Sequence, residues 1–203
     1  MTIDILGFGM FDSNSYIVSD NGEAIVIDAG VEAEDIKKKL DERNVNLKYI
    51  LLTHGHIDHI IHVDNIKKLC GGEVVIHEED KECLTNSNEN LGSMMGIEHV
   101  FSPADILVKD NDKLEIGNEI IEVIHTPGHS PGSVCFKIGD ALFSGDTLFS
   151  QSIGRYDFPK SDGTKLFSSI KDKLFSLPKE TKVYPGHGDS TSIDFEKENN
   201  PFF

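Results

Sequence analysis

Short apolar runs separated by turn residues dominate this chain, with three stretches of helical spacing set among them. Residues 2–6 and 15–19 predict strands, and Gly7-Phe8-Gly9 and Asp12-Ser13-Asn14-Ser15 between them supply turn chemistry. No helical pattern follows the GxG, so it marks a turn and not a dinucleotide site. Ala24-Ile25-Val26-Ile27 is continuously apolar and predicts a strand buried on both faces, ending in Asp28-Ala29-Gly30. Over 32–43, Ile36 and Leu40 stand four apart among charges, the spacing of an amphipathic surface helix. A strand at 48–52 comes next. A helix then runs from His59 to about Leu69, with Asp58 near its N-cap and Cys70-Gly71-Gly72 stopping it. Residues 74–77 predict a short strand and 78–84 a short acidic helix. Residues 85–112 lack periodicity and read as an insert or cover.

The second half repeats the order of strands followed by a helix. Residues 113–116 and 119–125 form a hairpin around Gly117-Asn118, and 133–138 and 141–144 form another around Gly139-Asp140. An irregular stretch leads to a helix near 163–175 built on Leu166, Ile170 and Leu174, and 181–184 is the last predicted strand. The pattern predicts one α/β domain over 1–203 with related halves, about 1–110 and 111–203. The two mixed sheets would pack face to face, with helices outside.

Composition narrows the class. At 203 residues the chain can bury a real core, and 38% hydrophobic with 27% charged residues is ordinary for a soluble protein. Apolar runs of four or five residues are too short to span a membrane, and the N-terminus has no signal-peptide pattern. Three widely spaced cysteines, Cys70, Cys83 and Cys135, make no CxxC pair and read as small core thiols. A cytoplasmic protein is expected. The net charge of −16 disfavours nucleic acid as a partner and leaves a small-molecule substrate as the expectation.

Candidate chemistry is concentrated after the strands. Thr53-His54-Gly55-His56-Ile57-Asp58-His59 puts three imidazoles and a carboxylate into six residues, directly after an apolar run. His54 and His56, two apart, face the same side of an extended segment, while Asp58 and His59 turn toward a second position. His129, Asp146 and His187 each sit beside a glycine after a strand-like run. A single histidine is more often a surface residue, or a side chain that supports a ligand, than a ligand itself, and His62, His77 and His99 are read that way. Seven such residues placed alike point to two divalent metal ions. Imidazole and carboxylate without thiolate suits zinc first, with iron or manganese compatible. Two such ions about 3.5–4 Å apart can share a hydroxide nucleophile near neutral pH.

The HxHxDH motif, the GH in a Pro-Gly turn, the GD after a strand and the final GH together resemble the metallo-β-lactamase superfamily, over essentially the whole chain. The resemblance implies an αββα sandwich. It also implies that His54, His56 and His129 hold one metal, that Asp58, His59 and His187 hold the other, and that Asp146 bridges them. Asp28 matches an early aspartate that anchors the ligand loop. Within the superfamily, segments 125–133 (HTPGHSPGS), 143–149 (FSGDTLF) and 153–158 (IGRYDF) are similar to the glyoxalase II-like thioester hydrolases of the short, single-domain bacterial type. The activity implied is hydrolysis of hydroxyacyl thioesters such as S-lactoylglutathione, with Asp58 taking up the proton of the hydroxide nucleophile. Where glyoxalase II carries a lysine and then a tyrosine, this chain has Arg155 and Asp157, and Arg155 is a candidate clamp for a substrate carboxylate. The C-terminal helical extension of full-length glyoxalase II has no counterpart here, and Ile60-Ile61-His62 replaces the family's glycines. The competing readings are a mononuclear iron persulfide dioxygenase, a metal-dependent lactonase and a non-enzymatic metal-binding protein.

Overall fold

Alternation within the apolar strands sorts their side chains into three layers, and those layers make the fold. The computed structural model describes residues 1–7 and 9–203, so Phe8 of the first predicted turn lies outside the described residues. The first sheet runs in sequence order: β1 (Thr2–Leu6), β2 (Ser15–Asp20), β3 (Glu23–Ile27), β4 (Asn46–Leu51), β5 (Glu73–His77) and β6 (Ile106–Val108). Pairings β1–β2 and β2–β3 are antiparallel, whereas β3–β4, β4–β5 and β5–β6 are parallel. The second sheet joins β7 (Lys113–Ile116), β8 (Glu119–His125), β9 (Val134–Ile138), β10 (Ala141–Gly145), β13 (Lys182–Pro185) and β14 (Thr191–Ser192). A small hairpin of β11 (Leu148–Phe149) and β12 (Ser152–Ile153) stands apart.

Tyr16, Val18, Ile25 and Ile27 face Ile121, Val123, Phe136 and Phe143 of the other sheet, forming the central layer. Their neighbours Ile17, Ala24 and Val26 point the opposite way, onto α1 (Ala33–Arg43) and α3 (Val63–Cys70). On the far side, Cys135, Leu142 and Val183 pack under α4 (Gly163–Ser168) and α5 (Ile193–Asn199). Strands that alternate in this way are apolar on both faces because both faces are covered. The result is the expected αββα sandwich of two mixed sheets with helices outside.

Several local expectations are corrected. The helix predicted from His59 to Leu69 is two: α2 (Ile57–Ile60), with His56 rather than Asp58 before its first residue, and α3. The break follows from the 28–30 turn. Ala29 N–H donates to the His59 carbonyl at 2.7 Å, and His62 N–H donates to the Ala29 carbonyl at 3.0 Å, so this turn of helix bonds outward. The helix near 163–175 starts at Gly163, capped by Asp162, but widens to π-type turns over 169–173 and tightens to 3₁₀ over 174–176. The strand at 182–185 is not the last, since β14 and α5 follow it. Residues 85–112, read as irregular, contribute β6 to the first sheet. His77, read as a residue outside the donor set, is buried, and its ring stacks on His125 with centroids 4.0 Å apart. Ile60 and Ile61 pack into the helix-side core.

Candidate metal centre and active site

Parallel strands deliver their C-terminal ends to one edge of a sheet. Here β3, β4 and β5 run parallel, so Asp28, the 53–59 segment and the turn after His77 emerge together. In the second sheet β10 and β13 are parallel and bring Asp146 and His187 to the same edge, while the turn between β8 and β9 adds His129. Seven donors from four loops therefore converge.

They form overlapping sets. His54, His56 and His129 can offer one nitrogen each with all three atoms within 4.8 Å; Asp58, His59 and His187 can likewise offer one oxygen and two nitrogens, and His54, His59 and Asp146 link the two. Three rings have their Nδ1 engaged away from the cluster. His59 Nδ1 pairs with Asp28 Oδ2 at 2.9 Å, His129 Nδ1 donates to the Arg155 carbonyl at 2.8 Å, and His54 Nδ1 meets Thr53 Oγ1 at 3.1 Å. An imidazole that donates from Nδ1 presents the lone pair of Nε2, the atom a metal takes.

The buried polar atoms test whether cations fit here. His54 Nε2 and Asp146 Oδ1 are buried without a hydrogen-bond partner. Unpaired buried polar atoms are costly and rare in proteins, and both point into the cluster as metal ligands would. Charge says the same. Burial opposes a charged His59, yet Asp58, Asp146 and Asp28 push it up to about 10. Burial would raise Asp58, but His59 and the hydrogen bond from His187 hold it below the usual carboxylate range. His187 is also raised: burial opposes its charge, and the Asp58 hydrogen bond overcomes that. The carboxylates here draw in positive charge. Burial, reinforced by neighbouring histidines, holds His54 and His56 far below the ordinary imidazole range, hence neutral, the form that coordinates a cation.

Two supports escaped the sequence reading. Asp80 is buried and accepts from Gly55 N–H at 3.1 Å, Ser130 Oγ at 2.6 Å and Gly132 N–H at 2.6 Å, tying the loop of His54 and His56 to the loop of His129. A Cβ on Gly132 would stand 2.6 Å from Asp80 N, and one on Gly55 would stand 2.3 Å from Cys83 Cβ, so these glycines permit the close approach. Asp80 ends the run Glu78-Glu79-Asp80 within the stretch 78–84 that read as a short acidic helix; its only sequence signal was its place after the predicted strand 74–77. The other support is the turn before β2. Asn14 Nδ2 donates to the Pro185 and Gly188 carbonyls, Tyr16 Oη donates to Pro185 O at 2.6 Å, and Ser13 Oγ donates to Asp58 O at 3.0 Å. The bonds from Asn14 and Tyr16 hold the His187 loop against the first half, and the Ser13 bond ties the same turn to the Asp58 backbone.

The cluster floors a cleft of about 390 Å³. Phe11, Ile57, Leu91, Met95, Phe149 and Phe158 supply its apolar walls, and Arg155 lines it too. Arg155 does not stand free: Nε and Nη2 donate to Asp157 at 2.9 and 2.8 Å, and the guanidinium lies 4.1 Å from the centre of the Phe158 ring. His125 is a strand residue whose Nε2 contacts the Pro131 carbonyl at 2.9 Å. All three cysteines are free. Burial raises the Cys83 thiol and pushes Cys135 up to about 11, which leaves both protonated and unreactive.

Comparison with known proteins agrees with this architecture. The family model for the metallo-beta-lactamase superfamily matches residues 8–187. Hydroxyacylglutathione hydrolase GloC of Haemophilus influenzae is 36% identical over 207 residues, covering 100% of this chain and 98% of that protein. The crystal structure of BLEG-1 B3 metallo-beta-lactamase superimposes with a TM-score of 0.94 at 37% identity, covering 99% of both chains. TTHA1623, solved in a di-iron-bound form, gives 0.86 at 33% identity, covering 98% of this chain and 100% of that one. Among the described residues no helix is long and apolar enough to cross a membrane. The chain belongs to the metallo-β-lactamase superfamily, whose members bind one or two divalent metal ions.

Proposed function

We propose that this protein is a metal-dependent hydrolase of small acyl thioesters. His54, His56 and His129 would hold one divalent ion, and Asp58, His59 and His187 a second, with Asp146 between them. Such ions would supply Lewis-acid polarisation of a carbonyl and a water acidic enough to act as nucleophile near neutral pH. Water oxygen bonds to the acyl carbon, the C–S bond breaks, and sulfur departs with the electron pair as thiolate. Asp58, kept ionised by its histidine neighbours, would receive the proton that the water gives up. Asp28 fixes the His59 ring and the Arg155 carbonyl fixes that of His129.

The observation that carries the thioester reading is the lining of the cleft. Beyond the donors on its floor, that lining is apolar apart from Arg155, a group that does not give up its proton. Such walls suit a leaving group that needs no protonation. A thiolate, with a pKa of roughly 8.5, is one; an amine or alkoxide is far more basic. The name of the full-length relative GloC supports the same class. The second donor set, complete in Asp58, His59 and His187, supports two ions over the single iron of a dioxygenase.

The test is free-thiol release from a panel of thioesters by the metal-loaded protein and its Asp146→Ala variant. Release by the wild type that disappears in the variant is the expected result. A folded, metal-loaded protein that cleaves none of the panel would overturn the proposal. Oxygen uptake with persulfides, and then lactone and β-lactam turnover, would identify which other chemistry takes its place.

A further inference from the structure

We propose that the cleft selects thioesters that carry no charge on the thiol side, and that the Arg155–Asp157 pair enforces this choice. The proposal rests on the thioester reading above and names the substrate class within it.

Charge accounting comes first. Among the described lining residues Arg155 is the one permanent cation, and the carboxylates Asp58 and Asp146 share the floor with the imidazoles. The ions that the floor would hold serve the acyl carbonyl and the water, so a carboxylate on the thiol side would need the open face of the guanidinium, where two parallel N–H groups match it. That face is filled. Nε and Nη2 both donate to Asp157, two residues away, so the partner is tethered and returns as soon as it is displaced. Any substrate carboxylate at the fork would also sit beside the Asp157 carboxylate. The guanidinium also lies over the Phe158 ring, so turning it toward another acceptor sacrifices that contact. Lys160, five residues on, is itself paired with Glu89. Around all of this the chain carries a net charge of −16, which lowers the local concentration of anions.

The walls make the positive case. The Phe158 ring centre lies 5.6 Å from that of His56 and 5.9 Å from that of His129, and Phe149 stands 6.1 Å from His187. Apolar rings therefore flank the donors directly, and Leu91 and Met95 add to the lining. Phe11, at the mouth, is 60% exposed. Phe11 and Leu91 also hold φ of 54° and 65°, a left-handed backbone that bulky residues rarely adopt. Strain of this kind gathers at ligand-binding walls. A neutral thiol portion would cover these apolar surfaces. A charged peptide thiol such as glutathione would bring carboxylates to a surface that offers them no free partner.

The experiment compares two esters with the same acyl group, one on N-acetylcysteamine and one on glutathione, using the metal-loaded protein. The neutral ester should have a kcat/KM about tenfold higher, and the gap should narrow as salt is raised. Asp157→Asn should favour the glutathione ester about fivefold relative to the neutral one, because the guanidinium fork is released. Asp157 is exposed, so the variant should fold, and its circular dichroism spectrum checks that. A wild type that prefers the glutathione ester, or an Asp157→Asn variant that shifts preference further toward the neutral ester, overturns the proposal. Thiol from neither ester overturns the thioester reading itself, and this selectivity with it.

Discussion

The two donor sets are braced by one buried aspartate each, and the aspartates work differently. Asp28 touches a donor ring: it accepts from His59 Nδ1 and is itself held by the backbone N–H and the hydroxyl of Thr53. Asp80 touches no donor ring. It accepts from Gly55, Ser130 and Gly132, and so clamps the backbone on which His54, His56 and His129 are mounted. One brace orients a side chain and the other spaces two loops. A ring held by one bond can be set wrong while its loop stays in place. A loop held wrong misplaces every ring it carries.

Asp146, common to both sets, gives the largest effect and should abolish the distinction. Asp146→Ala removes the carboxylate that reaches toward His59 and His129 at 3.4 and 3.5 Å, and it should lower kcat by about a thousandfold. Metal content measured on the same sample should fall in both positions; retention of two ions per chain would show that the carboxylate is not shared.

The braces separate the sets. Asp28→Ala should weaken the ion held by Asp58, His59 and His187, and Asp80→Ala the ion held by the three first-set histidines, each by about 10–100-fold in affinity. Chelator competition with spectroscopically visible cobalt would resolve them. If both variants lose the same ion, the division of labour is wrong. Asp80→Asn should behave more like Ala than like Asp. Three donors converge on its two oxygens, and an amide would turn one N–H group against another.

A stability change should follow without any change of charge. At Gly132 a methyl group would stand 2.6 Å from Asp80 N and 2.7 Å from its carboxylate, so Gly132→Ala should destabilise the protein by about 1–3 kcal/mol through the Asp80 clamp. Denaturant unfolding measures it, and a loss indistinguishable from zero would mean that the two loops are not tightly spaced.

The same contrast explains what could be read in the sequence. Strands such as Ala24–Ile27 announced themselves by apolar character, and the donors by following strands beside glycines. Asp28 was visible because it closes a strand in the same way. Asp80 was not, because nothing local distinguishes the one buried acid in Glu78-Glu79-Asp80 from its two neighbours; its partners lie 25 to 52 residues away. Asn14 and Tyr16 were hidden for the same reason, as they reach the His187 loop about 170 residues on. The break in the helix after Ile60 depends on backbone bonds to Ala29, which periodicity cannot encode. Short-range order was legible, and the bonds that space the loops were not.

Smallest in effect, and specific to the second set, is a pH dependence of the metal-free protein. His59 is raised from 6.5 to about 10 by Asp58, Asp146 and Asp28, against the effect of burial. A group whose folded pKa is raised contributes stability that is complete below its unfolded value and disappears as pH climbs through the folded one. Asp58 has the opposite sign. Its contribution is present above 3.8 and is lost as the solution is acidified further. Below about pH 6.5 the buried neutral His54 and His56 favour the unfolded chain, which can protonate them, so the chelated protein should melt highest near pH 6.5 and lose several degrees of Tm by about pH 10. Bound cations would take over the role of the imidazolium, so the metal-loaded protein should show a shallower alkaline slope. Asp28→Asn removes one of the three carboxylates and should flatten the slope of the chelated protein, whereas Asp80→Asn, remote from His59, should lower Tm while keeping that slope. Parallel slopes for the loaded and chelated wild type would show that the charge of His59 does not stand in for a metal. That result would take away the electrostatic half of the difference between the two donor sets and leave only the mechanical half.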